Sequence, residues 1–248
     1  MSEKVFISGS IAIGKLSDDV KESIDKIIVN NLQILVGDAD GIDTMVQKYC
    51  VEKNYSNVIV YSIFSIPRYC ASESFERKRV FVSEEIKKER ERQQKKDKVM
   101  TADSDYSLVI WDGKSKGSYT NITRALQSNK KVKVYLNGTF LEPDKTTKEE
   151  IDFIYRANNG YTASEVVDFL KESFCDFFNK TQDLNKYLVQ KAILTKDDGV
   201  YVPNKEYEDL FFIDKYRGKI KGIRFKNEFI DWIETVLKKP SCVQSSLF

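Results

Sequence analysis

The chain contains no histidine. Mechanisms that need an imidazole base, a Ser–His pair or a His-ligated metal are therefore excluded. Cysteine is sparse: Cys50, Cys70, Cys175 and Cys242 are far apart and form no C-x-x-C pair. That spacing gives neither a zinc knuckle nor a disulfide framework, and reduced thiols in a cytoplasmic protein are the expectation. Long apolar runs are missing too. Nothing approaches the roughly 18 residues that cross a bilayer, and the N-terminus leads into a polar-flanked strand rather than a secretory leader, so no membrane partner is expected. Charge of one sign is not in excess, with 40 Lys+Arg against 38 Asp+Glu. Overall charge thus argues neither for nor against nucleic acid.

What is present is an alternation of strand and helix patterns in the first half. Val5–Ser10 reads as a strand ending in Gly9-Ser10, and Leu16–Asn31 carries Val20, Ile24, Ile27 and Ile28 at helical spacing. Gln33–Val36 is a second strand, Ile42–Lys53 a helix, and Asn57–Tyr61 a third strand. The run Leu108–Trp111 has the length and branched content of a buried strand, and a helix follows with Ile122, Ala125 and Leu126 inward. Lys131–Leu136 is another strand. Between them, Arg68–Thr101 is polar; its core, Ser83–Lys98, holds seven basic and five acidic side chains and predicts a solvated helix with i,i+4 pairs. Alternating strands and helices predict a Rossmann-like parallel sheet with helices on both faces, binding its ligand at the carboxyl ends of the strands.

Three glycine-bearing turns fall at such ends: Gly9-Ser10; Gly37-Asp38-Ala39-Asp40-Gly41; and Trp111-Asp112-Gly113-Lys114-Ser115-Lys116-Gly117-Ser118. A strand, a glycine-bearing loop and a helix point backbone N–H groups and a positive dipole end at an anion. The last loop is not a Walker A loop, since G-x-x-x-x-G-K-[ST] cannot be laid over it. An ordinary turn with surface lysines has the same spacing. Asp38, Asp40 and Asp43 suit hydrogen bonds from ribose hydroxyls or a base, or a divalent ion, while Asp43 equally fits a first-turn helix residue favoured by the dipole.

Ile7-Ser-Gly-Ser10, Gly37-Asp-Ala-Asp-Gly-Ile-Asp43, Lys96-Asp-Lys-Val-Met100 and Ile110-Trp-Asp-Gly-Lys-Ser-Lys-Gly-Ser118 resemble the SLOG superfamily. That is the Rossmann-like group containing DNA-processing protein A and the cytokinin-activating phosphoribohydrolases. The resemblance covers residues 1–138 and implies a site for a nucleotide or nucleotide derivative built from the three loops. The hydrolases of that group carry a P-G-G-x-G-T-x-x-E loop whose glutamate acts at the N-glycosidic bond. This chain has no glutamate between Trp111 and Asn121, which leaves Asp112 or Asp38 as the substitutes to consider.

Residues 139–146 read as a linker, 147–240 as a smaller winged-helix-like α+β domain, and 241–248 as a loose tail. Helical patterns run over Thr147–Asn158, from a capping box at Thr162-Ala-Ser-Glu165, and over Thr181–Lys191, followed by a hairpin turning on Asp198-Gly199. The string from Leu184 to Pro203 resembles the C-terminal domain of KilA-type phage antirepressors, over residues 146–236. If this domain reads DNA, Lys180, Gln182, Asn185 and Lys186 of its third helix face the groove; otherwise it serves protein contacts or dimerisation. Asp183 and the acidic Asp197-Asp198 tip argue against a strong phosphate grip. A last helix, Phe225–Lys239, aligns Phe229, Trp232, Ile233 and Val236 as core or as a homodimer seam.

The sequence supports three functions: a cytosolic nucleotide-binding sensor or regulator of phage or phage-defence origin, an enzyme cleaving an N-glycosidic bond of a nucleotide, or a DNA-binding protein of the DNA-processing protein A type. No cofactor beyond the nucleotide, and no metal, is assigned.

Overall fold

A computed structural model describes residues 3–174 and 177–238. The tail 241–248, Cys175 and Cys242 lie outside the described residues; Cys50 and Cys70 are free thiols. Contacts group Met1–Asp152 as one compact unit and the residues from Phe153 onward as another. No helix among the described residues is long and apolar enough to cross a membrane.

The first unit is a seven-stranded sheet with helices on both faces. Its strands are β1 (Lys4–Gly9), β2 (Gln33–Gly37), β3 (Val58–Ser62), β4 (Glu76–Arg79), β5 (Tyr106–Trp111), β6 (Lys131–Leu136) and β7 (Thr139–Phe140). They lie in the order β4-β3-β2-β1-β5-β6-β7. All neighbours are parallel except β6 and β7. The segment expected as a linker therefore begins as an edge strand of this sheet. The helices are α1 (Asp18–Val29), α2 (Ile42–Glu52), α3 (Glu89–Asp103) and α4 (Lys116–Gln127).

The central strands are apolar on both faces because both faces are covered. Val5, Ile7, Ile34, Val36, Leu108 and Ile110 pack with Val20 and Ile24 of α1 and Val46 and Cys50 of α2. On the opposite face Phe6, Leu35, Ile59 and Tyr61 meet Met100 of α3. α1 starts where its sequence says it should: Ser17 Oγ accepts from Val20 N–H at 3.3 Å, satisfying a first-turn donor.

The polar segment 68–101 departs from its reading. Residues 83–88 are not helical, and the helix runs Glu89–Asp103. Before it lies β4, whose four residues Glu-Arg-Lys-Arg are all exposed. A charged edge strand blocks sheet-to-sheet pairing but shows no apolar alternation, so the sequence gives no sign of it. α3 is not a wholly solvated helix either. Lys96, Met100 and Thr101 are buried, and the i,i+4 pair Lys96/Met100 faces inward.

The second unit contains α5 (Lys148–Asn159, which begins in the first), α6 (Ala163–Phe174), α7 (Thr181–Gln190), β8 (Leu194–Asp197), β9 (Val200–Pro203), β10 (Phe211–Tyr216), β11 (Lys219–Phe225) and α8 (Asn227–Lys238). The capping box at α6 forms: Glu165 Oε2 accepts from Thr162 N–H at 2.8 Å, and Thr162 Oγ1 accepts from Glu165 N–H at 3.3 Å. β8 and β9 turn on Asp198-Gly199 with φ of 46° and 81°, the doubly positive pattern of a tight hairpin. Three helices and a hairpin follow in the expected order.

A second hairpin, β10–β11, was not legible. It turns on Arg217-Gly218 with φ of 49° and 78°, and arginine is not among the residues that announce such a turn. It also takes Phe225 away from the last helix. Phe225 and Tyr161 exchange backbone hydrogen bonds at 2.7 and 2.9 Å, so α8 starts only at Asn227. Phe229 and Ile233 of α8 are buried with Leu184, Leu188, Phe211 and Phe225. The apolar stripe of the last helix thus serves its own unit's core.

Gly160 closes this unit at the end of α5. Its φ is +64°, and a Cβ there would lie 2.7 Å from the Phe225 carbonyl oxygen and 2.9 Å from the Phe212 ring. Gly160→Ala should destabilise the chain by about 1–3 kcal/mol through left-handed strain and this clash. Gly222→Ala, with nothing within 4 Å of its Cβ, serves as the neutral control. Urea denaturation of the two variants checks the difference.

Candidate ligand-binding cleft

The position of the cleft follows from strand order. After β1 the chain moves outward through β2, β3 and β4, then returns to lay β5 on the other side of β1. At such a reversal successive loops part and leave a crevice at the carboxyl ends of the strands. A cavity of about 240 Å³ lies there. Ser8 and Gly9 come from β1, Gly37 and Ala39 from the end of β2, and Asp43 from the first turn of α2. Gln93, Lys96 and Asp97 come from α3, and Ser115, Gly117, Ser118 and Asn121 from the start of α4. A larger hollow of about 1010 Å³ sits near the amino ends of β1, β5 and β6. It is lined mainly by apolar groups and lysine stems and takes in none of the three loops, whereas polar groups of five segments converge on the smaller cleft.

The start of α4 is the most anion-receptive part of that cleft. No side chain caps it, so its first-turn N–H groups and dipole end are left to whatever occupies the cavity. Gly117 has nothing within 4 Å of where a Cβ would stand, which keeps the approach to those groups clear. Across the cavity Ser8 is 6% exposed, and its Oγ has no hydrogen-bond partner among the described residues. Gln93 likewise leaves both amide atoms unpartnered. Buried polar atoms are rarely left so.

Behind the cleft an ionic cluster fixes one wall. Asp38 is 1% exposed. Its carboxylate accepts from Ser62 Oγ at 2.7 Å, from Arg68 Nη2 at 2.9 Å and from Arg68 N–H at 3.1 Å. Burial alone would raise its pKa, but these hydrogen bonds outweigh burial and hold it below the usual carboxylate range. Lys96, only 3% exposed, places Nζ 4.0 Å from Asp38 and 3.5 Å from Asp97.

Asp43 stands differently. The residue is half-buried at the cavity wall, and desolvation of its carboxyl pushes its pKa up to about 6 against the opposing attraction of Lys96. Among the described residues its carboxylate receives one hydrogen bond, a long one from Ala39 N–H at 3.3 Å. Gly37 makes room for it: a Cβ there would stand 2.2 Å from Asp43 Oδ2 and 2.7 Å from Lys96 Nζ.

The structure brings some of the sequence-predicted residues to the cavity and assigns others to the frame. Gly9, Gly37, Ala39, Ser115, Gly117 and Ser118 line it. Ser10 does not; its Oγ lies 3.3 Å from Ser118 Oγ and accepts from Asp112 N–H at 3.2 Å, tying β1 to the α4 loop. Trp111 is 1% exposed, and its Nε1 donates to Ser115 O at 3.2 Å. Asp112 accepts from Lys114 and Ser115 N–H at 3.0 and 2.7 Å, shaping the turn that contains Gly113. Gly41 is the N-cap position of α2. Asp40, Lys114 and Lys116 are exposed. No three acidic or cysteine side chains among the described residues are gathered to hold a metal ion.

Ser8, Arg68, Gln93, Lys96, Asp97 and Asn121 were not singled out as site residues from sequence. Ser8 lies in the Ile7–Ser10 string and Lys96 and Asp97 in the Lys96–Met100 string that carry the resemblance; Arg68, Gln93 and Asn121 have no such signal. In the second unit Lys180, Gln182 and Lys186 are exposed on or beside α7. Asn185 instead turns to a hollow shared with Gly199, Lys221 and Gly222. Asp183 accepts from Lys180 N–H at 3.1 Å and so caps its own helix.

No protein-family model matches the chain, and no curated protein matches it. Among solved structures it is similar to DNA processing protein A from Helicobacter pylori, described for its single-stranded DNA binding mode. The TM-score is 0.39 and the identity 16%, over 76% of this chain and 81% of that one.

Because folding raises the Asp43 pKa from 3.8 to about 6, the ionised carboxyl costs stability. That cost is absent at pH 3, grows as the pH rises towards 6, and stays level above it. Asp43→Asn removes the charge at constant shape and should raise the melting temperature at pH 7.5 by roughly 2–6 °C. At pH 4 the gain should shrink towards zero, which thermal unfolding at the two pH values measures.

Proposed function

We propose that the chain is a nucleotide-binding protein, a sensor or regulator whose first unit holds the phosphate of a nucleotide or nucleotide derivative at the start of α4. The observation that carries this reading is the uncapped first turn of α4, left clear by Gly117, opening on a cavity that Ser8 lines with an unpartnered hydroxyl. Free N–H groups at a helix N-terminus recognise phosphate without a dedicated cation. This accords with Lys114 and Lys116 being turned to solvent. The phosphate's partner groups, base and sugar, extend towards Ala39 and exposed Ile11 at the cavity mouth.

A second reading, cleavage of the N-glycosidic bond, is favoured by one observation. Asp38 and Asp112 are committed to Arg68 and to loop amides, but Asp43 keeps a carboxyl close to neutral pH in the same cavity, as an acid–base group requires. Against it, the α4 start offers no glutamate, and Asn121 Oδ1 is already engaged by Arg124 at 2.8 Å.

Gly117→Val should abolish binding of nucleoside monophosphates in isothermal titration while the circular dichroism stays that of the wild type. Unchanged affinity in the folded variant would remove the phosphate from the α4 start. Mass spectrometry of small molecules released from the purified protein identifies the natural nucleotide.

Incubation with nucleoside monophosphates should release no free base above background. Release that disappears in Asp43→Asn would instead make hydrolysis the first reading.

A further inference from the structure

We infer that Asp43 couples the cleft to the proton: the cavity takes its anion together with one proton, and Asp43 is the residue that holds it. This deepens the phosphate-binding reading above and rests on it.

The argument starts from who shares the cavity. Asp43, Lys96 and Asp97 line it together with Ser8 and the start of α4. The charged groups that act on Asp43 come from three directions. Asp38 comes from the end of β2, Lys96 and Asp97 from α3, and Arg68, which also senses Asp43, from the segment after β3. With every group ionised, three carboxylates face two cations. Arg68 is turned to Asp38 at 2.9 Å and to Glu89 at 3.5 Å, and Lys96 is shared between Asp38 and Asp97. Neither cation is left for Asp43 alone, and among the described residues its carboxylate receives only the long bond from Ala39.

A phosphate entering this space adds negative charge beside a carboxylate that has no cation of its own. A like charge at close range in a partly desolvated site disfavours the ionised form of a carboxyl. One proton resolves the conflict: the protonated carboxyl becomes a donor to a phosphate oxygen, and Lys96 no longer divides its field among three carboxylates. Asp43 is the group that takes this proton. Desolvation already raises its pKa to about 6, whereas Asp38 is held ionised by Arg68 and Ser62. A bound anion raises the Asp43 pKa further, so binding takes up close to one proton at neutral pH. Affinity then falls as the pH rises above 6, at most about tenfold per pH unit for one linked proton.

Sulfate and adenosine 5′-monophosphate are the probes, titrated from pH 5.5 to 8 into wild type, Asp43→Asn and Gly117→Val. Sulfate stays a dianion throughout that range, so any pH dependence with it belongs to the protein. The expected result is wild-type affinity for both probes that weakens steadily above pH 6, with heats that differ between buffers of different ionisation enthalpy. Asp43→Asn should bind sulfate with the wild type's low-pH affinity at every pH and without proton uptake. Wild-type binding that is lost in Gly117→Val but flat with pH overturns this inference and leaves the cleft reading standing. So does a pH slope that persists in Asp43→Asn. Absence of binding at any pH in wild type and Asp43→Asn alike overturns both.

Discussion

β1 lies between β2 and β5, paired in parallel with each, and this double pairing is the constraint on which the first unit depends. It requires the chain to leave in one direction and come back on the other side, which sends α1 and α2 to one face of the sheet and α3 and α4 to the other. The crevice at the reversal is a consequence of that topology rather than of any one loop. The same pairing explains why Val5, Phe6 and Ile7 of β1 are apolar and buried on both faces, before Ser8 brings a hydroxyl to the cavity. The three glycine-bearing loops are distant in sequence and adjacent only because three parallel strands end side by side.

Two aspartates five positions apart show how the cleft separates frame from site. Asp38 and Asp43 leave the same loop, yet their carboxyls end with opposite shifts. Asp38 meets a guanidinium, a hydroxyl and a backbone N–H in good geometry, so a buried charge is fully compensated and the wall behind the cavity is rigid. Asp43 is half-buried at the cavity wall and, among the described residues, receives one long hydrogen bond and a share of a lysine already divided. An uncompensated buried carboxylate answers by holding its proton more tightly. The cleft thus has one fixed acidic partner and one responsive one. Glycine at position 37 is what permits the responsive one to approach Lys96.

The second unit follows different physics. Its core is aromatic, with Phe211, Phe225 and Phe229 in mutual ring contact at centroid separations of 4.6–5.5 Å. Its two hairpins turn on paired residues with positive φ, which match the twist of antiparallel strands. The exposed side chains of α7 are few in charge, and its one acid, Asp183, is spent on capping. Around α7 these features give no concentrated field for a polyanion; the β10–β11 hairpin differs, carrying Lys215, Arg217, Lys219, Lys221, Arg224 and Lys226 against Asp214.

Periodicity and turn chemistry, both local properties, decided a good deal from sequence alone. The alternating elements of the first unit, the α6 capping box and the Asp198-Gly199 hairpin are each written in a few neighbouring residues. The glycine loops at the strand ends were legible for the same reason, and six of their residues line the cavity. The rest was settled by tertiary contact. β4 and the β10–β11 hairpin carry no alternation or familiar turn signal, so only pairing with a neighbour makes them strands. Lys96 lay in a charge-dense segment that reads as solvated, and it is buried because Asp38 and Asp97 meet it there. Ser10 in the loop after β1, and Trp111 and Asp112 at the loop before α4, act as scaffold, since burial and hydrogen bonds claim their polar atoms before a ligand can. Sequence shows which residues are near the strand ends; which of them keep a free hydrogen bond or an unshared charge depends on partners brought from elsewhere in the chain.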